Sequence, residues 1–200
     1  MAGLENKKLE KLSVISKTGN EPLSTTGKTL LDFWRWNSSD LASNITRGRL
    51  AEFIVASALD IDLTIPRDEW GPWDLTSPEG IKIEVKSAAY LQSWTQQNFS
   101  RIVFNIRSTR YWNGTSGNMA EKPERSADVY VFCLLKHQDK DTLNPLDLEQ
   151  WEFYILSTNE LNSFGQSTTS ISLRSLKNIT EGITFEKLRE SIISKKQLNQ

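Results

Sequence analysis

The apolar run VYVFCLL, at residues 129–135, constrains the fold of this 200-residue chain more than any other feature. Its side chains are apolar at successive positions, so both faces of a strand there need cover from the rest of the protein. We therefore predict a central strand over residues 128–135. Two further segments are predicted to be strands, RIVFNIR at 101–107 and WEFYILS at 151–157.

Helical patterns lie before and after these strands. Residues 43–61 carry apolar side chains at a period close to 3.6, and Asn44 or Thr46 is the predicted N-terminal cap. Helices on both sides of a run of strands indicate an α/β fold, in which a mixed central sheet is flanked by helices. The other predicted helical segments are 29–37, 158–164 capped by Thr158, and 184–197 capped by Thr184.

Composition predicts one domain after a short lead-in. Residues 1–28 are rich in Lys, Glu, Ser, Thr and Gly, so we expect them to be loosely ordered. Residues 29–200 are predicted as a single domain, with its core at about 43–164 and its last helix at about 184–197. No apolar run approaches the roughly 20 residues that span a bilayer, and no signal-peptide pattern is seen. We therefore expect no membrane association and a cytoplasmic location.

The ionisable residues exclude several chemistries. With 24 basic and 25 acidic residues the net charge is −1, so binding to nucleic acid needs a local basic patch. One cysteine and one histidine, Cys133 and His137, cannot supply the three or four ligands of a typical zinc site. They could form a nucleophile and base, but Cys133 lies in the apolar run and is expected to pack there. Carboxylates are the groups left for catalysis.

A β-hairpin is predicted between Trp70 and Ser87. The turn is SPEG, in which Pro78 fixes φ and Gly80 tolerates a positive φ. After the turn, apolar and charged side chains alternate, so one face of the strand is apolar and the other charged. The apolar set is Ile81, Ile83 and Val85, and the charged set is Lys82, Glu84 and Lys86.

Asp74, Glu84 and Lys86 form the pattern D-x9-E-x-K across this hairpin. Glu84 and Lys86 are two residues apart and share a face, and Asp74 can approach them from the neighbouring strand. Two converging carboxylates suit a hard divalent cation such as Mg²⁺, and the lysine can position a water molecule. The alternatives are a cross-strand ion pair on a solvated face, and an aspartate that prepares the turn.

With these residues the sequence resembles the PD-(D/E)XK, or restriction-endonuclease-like, phosphodiesterase superfamily. The resemblance covers about residues 43–157 and implies a three-layer core with a mixed central sheet, built from a helix, the hairpin, a helical crossover and an apolar strand. It also implies a protein that cuts DNA with Mg²⁺, for which Mn²⁺ is a substitute. The motif's Pro-Asp pair is not strict here, because Trp73 stands between Pro72 and Asp74.

The resemblance also implies further site residues. The carbonyl of Val85 would join Asp74 and Glu84 as a metal ligand, and Glu52 on the preceding helix would face the metal. Glu52 could instead be a solvated helix residue. A glutamine follows the motif in some members, and Gln92 is the nearest candidate, with Gln96 and Gln97 as alternatives.

Arginines and aromatic residues predict contacts with nucleic acid. Arginines neutralise phosphates, and aromatic rings stack on unpaired bases. The alternative for the stretch 101–118 is a sheet edge with a flexible loop. The candidates there are Arg101, Arg107, Arg110 and Trp112, and those near the start of the Glu52 helix are Arg47 and Arg49.

The leading hypothesis is an Mg²⁺-dependent DNA endonuclease, of restriction, defence or mobile-element type, with a homodimer left open. A second hypothesis is a catalytically silent domain that keeps the fold and binds nucleic acid or protein. A third is an unrelated α/β domain in which the motif is a coincidence.

Overall fold

The computed structural model describes residues 13–110, 112–113, 118–165 and 168–197 and contains both helices and short strands. The helices are α1 (Leu30–Ser38), α2 (Asn44–Ala58), α3 (Thr158–Ser163), α4 (Leu173–Lys177) and α5 (Leu188–Gln197), with 3-10 turns at Leu148–Gln150 and Phe185–Lys187. The strands are β1 (Pro22–Leu23), β2 (Lys28–Thr29), β3 (Leu75–Thr76), β4 (Lys82–Ala89), β5 (Val103–Asn105), β6 (Trp112–Asn113), β7 (Asn118–Met119), β8 (Val129–Leu135), β9 (Trp151–Ser157) and β10 (Ser170–Ser172).

A four-stranded sheet with the order β3-β4-β8-β9 forms the centre of the molecule. The β4–β8 pair is parallel, and the β3–β4 and β8–β9 pairs are antiparallel, so the sheet is mixed. Every residue of β8 is buried, because the sheet continues on both sides and both of its faces are covered. The prediction of a central strand from the apolar run is confirmed.

Two apolar layers cover the two faces of this sheet. On one face α2 packs against the β4 side chains Ile83 and Val85, and α5 packs against β9. On the other, β5, β10, α3 and α4 pack against Phe132 and Tyr154. The predicted class, a mixed α/β fold with a three-layer core and flanking helices, is confirmed.

The helix boundaries differ from prediction at their caps. The side chain that caps α2 is Ser43, whose Oγ accepts from Thr46 N at 3.4 Å, rather than Asn44 or Thr46. Likewise α3 is capped by Ser157, because Ser157 and Glu160 form a reciprocal capping box. Thr184 makes no capping hydrogen bond, and the last helix begins with a 3-10 turn.

The chain between β4 and β8 contains no helix among its described residues, so the predicted helical crossover is wrong. Residues 90–100 lack an apolar period, and the chain there closes through polar contacts such as Ser100 N to Tyr90 O at 2.9 Å. The strand predicted over 101–107 is limited to β5, which pairs with the distant β10. Between β5 and β8, Thr109 and Glu124 form an isolated antiparallel bridge.

The N-terminal elements pack loosely against the rest of the molecule. Helix α1 buries no residue, although a capping box between Thr29 and Asp32 defines its start, and Trp36 is 83% exposed. Residues 1–12 of the predicted lead-in lie outside the described part. In the part of the chain that is described, no helix has the length and apolar character needed to cross a bilayer.

Candidate active site

The hairpin β3–β4 places Asp74 opposite Glu84. Its turn is stabilised by Gly80, with φ of 78°, whose N–H donates to Ser77 O at 2.9 Å. Leu75 pairs with Ile83, and Asp74 N donates to Ile83 O at 3.0 Å, so the pairing extends one residue past β3. Residues directly opposite in an antiparallel pair project from the same face.

The Asp74 side chain also binds the backbone of β4, just before the start of β3. Its Oδ2 accepts a hydrogen bond from Val85 N at 2.7 Å. This bond fixes the carboxylate beside the peptide of Val85, whose carbonyl is one of the predicted metal ligands. Because β3 is short, the Asp74 carboxylate accepts from Val85 N where a longer strand would supply a backbone carbonyl.

Glu84 and Lys86 form an ion pair on the charged face of β4. Their side chains are 20% and 28% exposed, so the pair is partly desolvated. Burial raises the pKa of the Glu84 carboxyl, the Lys86 ammonium opposes this, and the negative charge of Asp74 raises the pKa further. The pKa remains above its ordinary value because burial and Asp74 outweigh Lys86.

Glu52, on α2, is the third carboxylate at this site. Its side chain is 15% exposed. Burial is the largest cause of its raised pKa, and the charges of Asp74 and Glu84 add to the effect. The structure therefore brings Glu52, Asp74 and Glu84 into one electrostatic cluster, with Lys86 beside it.

Two basic side chains pair with two of the three carboxylates in this cluster. Lys86 binds Glu84, and Arg67 binds Glu52 through Nε and Nη2 at 2.8 and 2.7 Å. In the described parts of the chain, no three Asp, Glu, His or Cys side chains are arranged as a preformed metal cage. Ligation by Glu52 and Glu84 would require these two ion pairs to rearrange.

Lys86 lines two clefts of different size. The smaller cleft contains Ser126, whose Oγ is buried without a hydrogen-bond partner in the described structure. Burial and the charge of Glu84 raise the pKa of Tyr130. The smaller cleft, of about 140 Å³, includes Glu84, Lys86, Arg107, Ser126 and Tyr130. The larger, of about 470 Å³, includes Arg47, Lys86, Gln92, Trp94 and Arg101.

Arg47 and Gln92 are buried beneath the larger cleft and bind each other. Arg47 Nη1 donates to Gln92 Oε1 at 3.3 Å and to Ala42 O at 2.8 Å, and its Nε donates to Ser87 Oγ at 3.1 Å. Gln92 Nε2 donates to Ala89 O at 3.1 Å. Burial lowers the pKa of Arg47. These contacts hold the chain after β4 in place, and they do not favour a direct contact between Arg47 and substrate.

The remaining predicted contacts are spread around the site. Arg101 and Arg107 are exposed, and each lines one of the clefts beside Lys86. Arg49 pairs with Glu69 at 2.9 Å, and Arg110 is exposed. The backbone of Trp112 belongs to β6, but its side chain lies outside the described part. Of the alternative glutamines, Gln96 binds the backbone of the 90–100 loop and Gln97 is exposed.

Cys133 and His137 do not form a catalytic pair. Cys133 is completely buried, and burial raises the pKa of its thiol, so it stays protonated at neutral pH. His137 lies past the end of β8, where its Nε2 is 2.7 Å from Thr142 Oγ1. The expectation that Cys133 packs as a small apolar residue is confirmed.

Sequence reasoning missed Arg67, Ser126 and Tyr130. Arg67 lies in the irregular chain between α2 and β3, where no period indicates which way a side chain points. Tyr130 could have been found from the sheet register, because it pairs with Glu84 in the parallel β4–β8 ladder. Ser126 precedes β8 and carries no comparable signal.

A protein-family comparison covers most of the chain. Residues 3–175 match the family model described as bacteriophage T4 endonuclease IV. No curated protein is similar enough to count as a match. The matched region includes Glu52, the hairpin with Asp74, Glu84 and Lys86, and all four strands of the central sheet. The chain therefore belongs to the bacteriophage T4 endonuclease IV family, a family of nucleases.

Proposed function

We propose that this protein is a divalent-cation-dependent DNA endonuclease of the PD-(D/E)XK type. The observation that carries the proposal is the placement of Asp74 opposite Glu84, with Lys86 on the same face, in a chain that belongs to a nuclease family. Carboxylates and a lysine with this arrangement are suited to phosphodiester hydrolysis. The role expected from the sequence, in restriction, defence or a mobile element within the cytoplasm, is part of the same proposal.

The donor set fits a hard cation. Asp74, Glu84 and the Val85 carbonyl supply oxygen ligands, which Mg²⁺ prefers, and Mn²⁺ accepts the same ligands. Glu52 adds a third carboxylate, so three carboxylates face only two basic groups, Lys86 and Arg67. Burial is the main cause of the raised pKa values of Glu52 and Glu84, and the neighbouring carboxylates add to it. A bound cation would stabilise the charge that develops on the phosphate during hydrolysis.

The protein's own side chains have separate roles in this proposal. The Lys86 ammonium orients the attacking water by donating a hydrogen bond to its oxygen, and Glu84 holds that ammonium beside the site. A bound cation would lower the pKa of this water, so that solvent can take its proton. Arg101 and Arg107, in the clefts on the two sides of Lys86, bind the phosphates that flank the scissile one. Arg47 and Gln92 support the cleft floor between them.

A local basic surface is necessary because the chain has a net charge of −1. Exposed arginines beside a cleft supply it where the site needs it, and they leave the rest of the surface without strong attraction for DNA. Contacts from Arg49, Arg110 and Trp112 stay predictions within this proposal. So does a homodimer.

A silent domain that binds nucleic acid is the second candidate. It is favoured by one observation, that Glu84 and Glu52 are already satisfied by Lys86 and Arg67. In that case the ion pairs would be structural, and removing them would change stability but no chemistry.

Cleavage assays distinguish the two candidates. Plasmid, linear and single-stranded DNA are incubated with the wild type, Glu84→Ala and Lys86→Ala, in Mg²⁺, in Mn²⁺ and with a chelator. We expect cleavage by the wild type alone, and only with a divalent cation. Equal activity in all three proteins would refute the catalytic assignment, and DNA binding without cleavage in every condition would support the silent domain.

A further inference from the structure

The Glu52–Arg67–Glu69–Arg49 chain of ion pairs connects α2 to the loop that precedes β3. Arg67 holds Glu52 with two nitrogen atoms and Glu69 with a third, at 3.1 Å. Glu69 in turn accepts from Arg49 at 2.9 Å. Arg67 thus contacts two glutamates. One of them, Glu52, has its pKa raised by the negative charges of Asp74 and Glu84, in addition to the larger effect of burial.

The charges in the cluster nearly balance without a cation. Three carboxylates, Glu52, Asp74 and Glu84, face two basic groups, Arg67 and Lys86. Arg67 Nε and Nη2 both donate to Glu52 Oε2, so the guanidinium occupies this oxygen and holds the carboxylate in the orientation of the ion pair. Since Glu52 is the more buried partner, at 15% exposure against 35% for Arg67, Arg67 is the partner that can move towards solvent.

We propose that Arg67 is a positioning residue that competes with a divalent cation for Glu52. Arg67 holds this carboxylate while the site is empty and releases it when a cation binds between Asp74 and Glu84. Glu52 is then a conditional third ligand, and Arg67 sets the cation concentration that the protein needs. This inference rests on the proposed function of the Asp74–Glu84–Lys86 site.

The competition predicts that removing Arg67 strengthens metal binding. If Arg67 merely held Glu52 in a suitable orientation, its removal would weaken metal binding instead. The ion pair is partly exposed, and pairs of that kind are worth at most about 1 kcal/mol, so Arg67→Gln should lower the Kd for the cation about two- to fivefold. Arg67→Lys keeps the charge and should restore most of the wild-type Kd.

Arg189 offers a matched control. It also binds two carboxylates, Asp60 and Glu79, and at 39% its exposure is close to that of Arg67. It lies on α5 and is not among the groups that perturb Glu52 or Glu84. Arg189→Gln removes one positive charge from the chain, and it should leave the Kd for the cation unchanged.

The test is binding of Mn²⁺ alone, without DNA, measured from the electron paramagnetic resonance of the free ion. The proteins are wild type, Arg67→Gln, Arg67→Lys, Arg189→Gln and Glu84→Gln. Tighter binding by Arg67→Gln alone, with loss of binding in Glu84→Gln, supports the competition. Unchanged or weaker binding by Arg67→Gln overturns the competition but leaves the metal site intact. Absence of binding in the wild type, or wild-type binding in Glu84→Gln, overturns both proposals.

Discussion

Two regions of the molecule combine carboxylates with lysines, and the pKa values of their glutamates shift in opposite directions. The hairpin site has Asp74, Glu84 and Lys86. A second region, the α5 corner, has Asp128 and Glu160 with the partners Lys196 and Lys195. The corner ties α3 and the start of β8 to α5.

In the α5 corner, lysines and backbone N–H groups stabilise the charged form of both carboxylates. Burial would raise the pKa of Glu160, but the hydrogen bonds from Lys195 and Ser157 N outweigh it and lower the pKa. The pKa of Asp128 is lowered in the same way, against burial, by Lys196 and by Lys82 N. In the hairpin site the pKa of Glu84 is raised instead. An acid–lysine pair is therefore structural where it gains further donors, and it is a candidate for function where a second carboxylate faces it.

The largest expected effect is the difference between two aspartate variants, one in each region. The two aspartates are comparable because each accepts a hydrogen bond from a backbone N–H of β4. Asp74 accepts from Val85 N at 2.7 Å and Asp128 from Lys82 N at 2.9 Å. Asp74→Asn should reduce DNA cleavage by about 10²-fold or more, since an amide cannot replace a charged ligand. Asp128→Asn should retain cleavage close to wild type.

Initial rates of plasmid nicking in Mg²⁺ measure both variants. Their helical content, from circular dichroism, must match that of the wild type. Similar losses of activity in Asp74→Asn and Asp128→Asn would make the two regions equivalent and remove the basis of the comparison.

A smaller effect is expected from the arginines near each region. Arg107 lines the smaller cleft beside Lys86, whereas Arg189 lies on α5. Arg107→Ala should weaken DNA binding about three- to tenfold and lower the salt slope by about one, because one phosphate contact is lost. Arg189→Ala should change neither. Fluorescence anisotropy with Ca²⁺ at several salt concentrations tests this, and equal slopes for wild type and Arg107→Ala would exclude the contact.

The smallest effect concerns stability and pH. The raised pKa of Glu84 means that the folded state binds its proton more tightly than the unfolded state, so stability falls as pH rises above the ordinary value of 4.5. The lowered pKa of Glu160 has the opposite sign, and its contribution is lost as pH falls through the folded-state pKa. At pH 7 without metal, Glu84→Gln should therefore raise the Tm slightly and Glu160→Gln should lower it.

Thermal denaturation followed by circular dichroism at pH 7 gives these shifts, each expected to be within about 3 °C. At a pH near 4 both shifts should shrink, because the carboxyl groups are then partly protonated in the unfolded state. Shifts of the same sign at pH 7 would show that the two glutamates have the same role.

The parts of the fold that depend on local burial could be predicted from the sequence. The run at 129–135 is apolar on both faces, which predicts the covered strand β8. The segment predicted at 151–157 is β9 with the same bounds. The crossover could not be predicted, because the described residues between 90 and 128 depend on side-chain contacts such as Arg47 with Gln92 and on the pairing of β5 with β10, about 65 residues away along the chain.

The candidate site was predictable to the extent that one turn determines it. The SPEG turn sets the register of β3 and β4, and the register brings Asp74 to Glu84 and Lys86. Arg67 and the burial of Arg47 were beyond prediction, because both depend on contacts between separate elements. Caps were misplaced by one or a few residues for a related reason. Several adjacent polar residues could serve, and backbone geometry selects Ser43 and Ser157.

The central claim is that Lys86 acts in catalysis whereas Lys195, in the matching pair with Glu160, does not. The most direct measurement is the DNA cleavage rate of Lys86→Ala and Lys195→Ala beside wild type in Mg²⁺, with folding verified for each protein. We predict that Lys86→Ala loses about 10²-fold or more of the activity, as expected for a group that orients the attacking water, while Lys195→Ala stays within about twofold of wild type once its stability is allowed for. Wild-type cleavage by Lys86→Ala would contradict the account.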